Sequence, residues 1–490
     1  MIVRSRFASL VFVALLFAGS GVAAPAAAQE EDAAPWEGAT DVTLPPFLQD
    51  TGKRIVDQRP PPTEQQLEAL RQLEEEVDRF TETGEAFRST VTSLVRRAYL
   101  HQRRERDRWY GEQLETEERA FNEARESSIR VFEDFIRRYP SHSKYTPDAM
   151  FRLGELYFER SAVDFQKLYD DAQAARDAGD LSAEDSLPTS PDFTPTVDLY
   201  KTLARRFPAY ERSDGVYYLI GYTLNEMGRP EEALAAWLAL VCSNKYDYDP
   251  DWRPPPADAS LAAQARYPAL TLDGRPLGAP VRGAFVNPYE TCKAITPQAR
   301  FVSETWFRIG EYHFDDFGGT NALDLSIAAY GQILGNPQDR NYNLALYKVA
   351  WAYYRASRYQ DAIRHFGKLV QWSDDTRSET GKAGSELRPE AIEYLGIAFA
   401  YDDWNENQVA DPIEGRPTGI ERIQDASLLP QQRPWTPEVY FQLGQVYFDE
   451  AKYLEAIAAW RLAIRKWPNH HRTPEVLNDI AVAHQMHNEF

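Results

Sequence analysis

The stretch Tyr440–Pro468, YFQLGQVYFDEAKYLEAIAAWRLAIRKWP, decides the fold. Tyr440, Leu443, Gly444 and Tyr447 fall at i, i+3, i+4 and i+7, one face of a first helix. Ala456, Trp460 and Ala463 repeat that face on a second helix. Pro468 stops it, because proline has no N–H for the next backbone hydrogen bond. Gly444 and Ala456 are small enough to let the two helices approach, and the aromatic rings fill the space beside the crossing.

The same layout recurs along the chain. Residues 113–140 supply a second-type helix with Phe132, Phe135 and the stop Pro140. Thr146-Pro147-Asp148 then opens a first helix, threonine as cap and proline in the first turn, carrying Met150, Leu153, Gly154 and Tyr157. Its partner holds Tyr200, Leu203 and Pro208, beyond an acidic insertion, 160–193, read as an extended helix and a loop. Tyr217, Ile220, Gly221 and Leu224 pair with Ala233, Trp237 and Leu240. Thr296-Pro297 restarts the helices, and Trp306, Ile309, Gly310 and His313 pair with Ser326, Tyr330 and Ile333. Leu346, Val349, Ala350 and Tyr353 pair with Ala362, Phe366 and Leu369. Ile392, Leu395, Gly396 and Phe399 lead into a degenerate second helix near 418–430. Thr473-Pro474-Glu475 opens a last first helix. The closing His-Asn-Glu-Phe resembles an inter-helix turn, so the natural chain is expected to continue past Phe490, the alternative being that this helix is a cap.

This arrangement resembles the tetratricopeptide repeat (TPR), W-x2-L-G-x2-Y, then A-x3-F and P, at a period of 34 residues. The resemblance covers about 113–490 and implies an all-α, right-handed superhelical solenoid, here behind an N-terminal helical leader. The endings Arg138-Tyr139-Pro140, Arg206-Phe207-Pro208 and Lys466-Trp467-Pro468 look like the bacterial-envelope branch of that family. That branch is similar to outer-membrane-assembly and Tol–Pal-associated factors. The helical leader, with Phe132-Glu133-Asp134-Phe135 and Met150-Phe151-Arg152-Leu153, also looks like envelope TPR proteins of gliding myxobacteria.

At 490 residues the chain exceeds one simple core, which fits several domains or a solenoid. Residues 1–28 read as a signal peptide: Arg4 and Arg6, the apolar run Leu10–Phe17, and Ala26-Ala27-Ala28 before Gln29. The run is too short to span a bilayer, and no cysteine follows it, which argues against a lipid anchor. The mature protein is expected in the periplasm. Residues 29–62 are a Pro/Ala-rich leader without the apolar surface to order itself. Residues 63–112 form the helical leader, with Leu70, Leu73, Val77, Phe80, Phe87, Val91, Leu94 and Ala98 at three-four spacing. They read as a coiled-coil seam, or as a hairpin if the chain breaks at Thr81–Gly84, and leave self-association open. N-terminal repeat units fill 113–245, a Pro/Gly-rich insertion 246–297, and C-terminal units 298–490. Within the insertion, Ala269–Gly274 is a hairpin signal.

The two cysteines, Cys242 and Cys292, belong to a chain expected in an oxidising compartment. A disulfide between them is the favoured reading over two buried thiols, and a zinc site lacks ligands. Net charge is −21, and removing 1–28 with its two arginines makes it −23. Such a chain repels nucleic acid and anionic lipid, which need Lys/Arg surfaces.

Catalytic signatures are missing: no Gly-rich phosphate loop, no His-Glu-x-x-His, no Gly-x-Ser-x-Gly. The chain reads as no enzyme and needs no cofactor. His484 and His487 share a helical face but have no partner ligand at firm spacing, so no metal is expected. The resemblance implies that a partner segment lies along the first helices, one residue beyond the packing positions. Those positions hold Phe151, Phe158, Tyr218, Tyr222, Asn225, Phe307, Phe314, Tyr347, Trp351, Tyr354, Phe441 and Phe448. They form an aromatic-lined groove, unless the rings pack between successive first helices instead. Glu155, Glu304, Glu311, Glu390, Glu393, Glu438 and Asp449 make that face acidic, and the Lys/Asn clamp of co-chaperone TPR domains is absent there. A basic or amphipathic segment fits best. A basic cluster, Arg96, Arg97, Arg103, Arg104, Arg106 and Arg108, is read as pairing with Glu112, Glu115, Glu117 and Glu118, the alternative being an acidic partner or lipid phosphate. The functional expectation is a non-enzymatic envelope scaffold holding a segment of another protein. The alternative is the helical superstructure of a lytic-transglycosylase-like cell-wall enzyme with its catalytic domain beyond Phe490.

Overall fold

The computed structural model describes residues 63–179, 187–254, 271–272, 275–276, 285–316, 321–382 and 384–487. The expected signal peptide, the Pro/Ala-rich leader and the terminal His-Asn-Glu-Phe turn from Asn488 on lie outside them. The chain divides into two units, one ending at Glu126 and one starting at Ser127.

Helix α1 (Glu64–Arg138) runs unbroken for 75 residues. The hairpin break at Thr81–Gly84 does not occur, and 113–138 is the end of α1 rather than a separate second-type helix. No proline interrupts it, and a helical glycine costs only about 1 kcal/mol relative to alanine. The Thr81 and Thr83 hydroxyls donate to the Val77 and Arg79 carbonyls at 2.9 and 2.7 Å, inside the helix. In the basic cluster, Arg103 and Arg106 pair with Asp107, and Arg108 pairs with Glu105.

The second unit continues through α2 (Tyr145–Asp177), α3 (Thr194–Arg206), α4 (Ser213–Glu226), α5 (Pro230–Val241), α6 (Val302–Phe314), α7 (Ala322–Gly331) and α8 (Tyr342–Arg355). It ends with α9 (Tyr359–Thr380), α10 (Arg388–Ala400), α11 (Gly419–Arg422), α12 (Thr436–Asp449), α13 (Tyr453–Lys466) and α14 (Thr473–Met486). This is an all-α solenoid: first helices pack on their own second helices and second helices on the next first helix, except that α10 packs directly on α12 across the short α11. A two-residue antiparallel ladder, Thr271–Leu272 against Arg275–Pro276, sits where the hairpin signal placed it. The acidic insertion begins as the expected extension of α2.

One crossing is built the same way three times. A Cβ on Gly154, Gly221 or Gly444 would fall inside the ring of Tyr200, Trp237 or Trp460 on the partner helix. Each ring's polar tip then donates to the carbonyl three residues before its glycine. Tyr200 reaches Phe151 at 3.2 Å, Trp237 reaches Tyr218 at 3.4 Å, and Trp460 reaches Phe441 at 3.1 Å. Buried aromatic tips need such a partner. The turn between paired helices also repeats, with Gly228, Ser357 and Ala451 at φ +71°, +57° and +59°. The next N–H reaches back over the helix end, Arg229 to Leu224, Arg358 to Tyr353 and Lys452 to Tyr447, closing a Schellman motif.

The helix starts differ from expectation in two ways. Threonine is not the cap: the Thr146, Thr436 and Thr473 hydroxyls donate backwards to the carbonyls of Tyr139, Pro430 and Trp467. Each new first helix is thereby tied to the tail of the preceding segment. Thr296-Pro297 does not open α6 either. Turns continue to Phe301, and the helix starts at Val302.

Cys242, at the end of α5, is bonded to Cys292, their Cα atoms 4.4 Å apart. The insertion's returning strand of chain is stitched beside them, Ser243 N–H to Lys293 O at 2.9 Å and Ile295 N–H to Leu240 O at 2.8 Å. Nearby, the fully buried His313 meets the Tyr289 hydroxyl at 2.8 Å.

Candidate functional site

Of the twelve expected groove residues, five are sealed in the core, and there the packing alternative holds. Phe151, Phe158, Tyr218, Tyr222 and Phe441 are all at most 8% exposed. Phe158 stacks on Phe193 at 4.7 Å, Tyr218 on Phe301 at 4.8 Å, and Phe441 lies 4.9 Å from the His470 ring. The covering rings come from the segments that lead into neighbouring helices, and with so little exposure left no ligand can lie against these five.

Asn225, Phe307, Phe314, Tyr347, Trp351, Tyr354 and Phe448 are half-buried. Three of them lie on α8. Tyr347, Trp351 and Tyr354 follow one another at i, i+4 and i+7 and touch edge to face, at 6.4 and 5.7 Å. Tyr394, on α10, closes the patch against Trp351 at 4.3 Å. The Tyr347 hydroxyl donates to Glu390 at 2.5 Å, and burial together with that bond pushes its pKa up. Phe314 is covered by two cations, Arg355 at 4.4 Å and Lys348 at 5.3 Å from its ring centre. Phe448 packs on Tyr453 and Trp460 within its own unit.

The expected acidity of this face is in part neutralised by ion pairs. Glu304 pairs with Arg340, Glu311 with Arg308 and Lys348, and Glu438 with Arg388, which also holds Asp374. Glu390 and Glu393, beside Tyr394, keep negative charge at the aromatic patch.

The patch leads on into a cleft that the sequence did not announce. Tyr354 touches Tyr359 at 5.4 Å, and Tyr359 stacks on Trp404 at 6.0 Å. These last two rings line a cleft of about 610 Å³ between the α8–α9 turn and the loop after α10. The cleft exists because the α10 unit has only the one-turn helix α11 where other units have a second helix. The loop is held by a buried carboxylate: Asp411 pairs with Arg422 and accepts from the Trp404 N–H at 3.1 Å, while Arg422 lies 4.2 Å over the Trp404 ring. Arg358, Arg416, Asp361, Glu421 and Asp425 complete the rim, so both signs of charge face a ligand. Tyr394, Lys348, Arg355 and Trp404 were not foreseen. Tyr394 stands one residue before its packing position rather than one after, and Trp404 follows no repeat.

Among the described residues no group of three or more His, Cys, Asp or Glu is placed to hold a metal ion. Arg461 bonds to His484 at 3.0 Å. Among the described residues no helix is long and apolar enough to cross a membrane.

Two family models, both described as tetratricopeptide repeat, match the chain over residues 344–371 and 437–465. These are the hairpins α8–α9 and α12–α13. No curated protein matches the sequence. The matched hairpins and the architecture identify a TPR solenoid, the kind of array that serves as a scaffold for protein partners.

Proposed function

We propose that the chain is a non-enzymatic scaffold that holds a segment of another protein on α8 and α10, the segment running on to the cleft at Trp404. The carrying observation is the unbroken series of ring contacts from Tyr347 through Trp351, Tyr354 and Tyr359 to Trp404, with Trp351, Tyr354 and Tyr394 partly open to solvent. Half-exposed aromatics pack flat against apolar side chains while keeping a polar edge wet, which suits capture of an extended or helical peptide. Glu390, Glu393 and the mixed charges of the cleft favour a segment with basic and apolar residues over an acidic one. The signal-peptide pattern and the Arg/Lys-aromatic-Pro helix endings support a periplasmic site and an envelope-protein partner.

The test is photocrosslinking in cells from an unnatural residue at Tyr354, followed by identification of the adduct. Trp351→Ala with Tyr394→Ala should remove the adduct while the melting profile keeps its shape. Undiminished capture by the folded double variant would reject this face. Tyr222 is unsuitable for such a test, because it is 1% exposed and its loss would damage the core.

A further inference from the structure

Helix α1 leaves its apolar seam open. Phe80 and Phe87 are 80% and 70% exposed, and Leu70, Leu73, Val77 and Leu94 are each more than half exposed. The seam keeps a heptad register over Leu70–His101, about 50 Å of helix at 1.5 Å per residue. A face this long needs a cover, and the distribution of charge says which. Glu64–Glu85 carries eight carboxylates and two arginines, net −6, whereas Ala86–Arg108 carries seven arginines and two carboxylates, net +5. Ion pairs within the helix stay local, as between Arg71 and Glu68 or Arg108 and Glu105, and leave that separation intact.

We infer that this part of α1 pairs with the same part of a second copy, antiparallel, about a centre between Gly84 and Phe87. Parallel pairing sets −6 against −6 and +5 against +5. Antiparallel pairing sets each acidic half on a basic half, and complementary charge selects orientation and register. The side-chain sizes agree with that centre. Each Phe87 then meets the Gly84 of the other copy, where no side chain stands within 4 Å. Phe80 meets Val91, Val77 meets Leu94, and Glu76 flanks Arg97. The large ring thus falls where the glycine makes room, and bulky residues do not oppose one another there.

Light scattering on the full chain should return the mass of two copies. Reversing the acidic half (E74K, E75K, E76K and E82K together) or the basic half (R96E, R97E, R103E and R104E together) should weaken pairing by at least about tenfold. An equimolar mixture of the two should restore it. These substitutions are on exposed positions, so the melting of the repeats serves as the folding control. A short bismaleimide should join E76C on one copy to R97C on another. A chain that remains single at every concentration overturns the inference, including one in which E76C and R97C crosslink within the same molecule. So does a pair that forms without the 76–97 crosslink, or charge-reversed variants that pair as well as the original.

Discussion

Gly444→Ala probes the repeated helix crossing most directly. An added Cβ would overlap the Trp460 indole, which is 1% exposed and has no free space to retreat into. The ring must shift, straining the core by about 1–3 kcal/mol. The shift also breaks the bond from Trp460 Nε1 to the Phe441 carbonyl at 3.1 Å and strands the buried indole N–H, for about 1–3 kcal/mol more. Against this, alanine gains about 1 kcal/mol of helix propensity over glycine. The balance is a loss of about 1–5 kcal/mol. Denaturant unfolding measures it, and hydrogen exchange in α12 and α13 should localise it. A double-mutant cycle with Trp460→Ala isolates the cause, since losing the indole removes both the overlap and the donor. If Gly444→Ala proves neutral, or costs as much in the Trp460→Ala background as it does with the tryptophan in place, the close crossing is not what fixes glycine here.

Burial lowers the His313 pKa to about 3, below its ordinary value of about 6.5, so the folded state stays neutral where the unfolded chain takes a proton. Stability is therefore full above about pH 6.5 and falls toward pH 3, by about 2 kcal/mol at pH 5. His313→Gln should flatten that part of the pH–melting curve. Ala451→Gly relieves a left-handed residue at φ +59° and should raise stability by about 0.5–1 kcal/mol in denaturant unfolding, whereas Ala451→Val should lower it. Cys292→Ser opens a loop spanning 50 positions and should cost about 4 kcal/mol on the chain-entropy account, matched by reduction of the unchanged chain.

The paired helices were legible because each packing face is short and periodic, and because only glycine tolerates the rings of Tyr200, Trp237 and Trp460. The Cys242–Cys292 bond was legible by elimination, as the favoured of two readings. The length of α1 was not: Thr81 and Thr83 read as turn formers, but their hydroxyls find acceptors within the helix. The role of the Thr-Pro starts was hidden for a related reason. A threonine before a helix can bond forwards or backwards, and only the neighbouring chain end decides. The groove was half legible. Position along a first helix tells which residues look towards the next unit, but not how much of each ring that unit covers. Phe441 and Tyr347 occupy equivalent places, yet Phe441 is buried under His470 while Tyr347 keeps an open edge beside Trp351. The cleft at Trp404 owes its existence to a helix that is missing, and a repeat pattern records only what is present.

The bond between Cys242 and Cys292 brings the two ends of a long detour to within 4.4 Å. Seen from the neighbouring helices, the covalent path passes directly from α5 to the approach to α6, while Tyr246 and Tyr289 just beyond the bridge anchor both arms of the detour in the core. The number of residues between those anchors can change at little cost, since the entropy of closure grows only slowly with the number of residues enclosed.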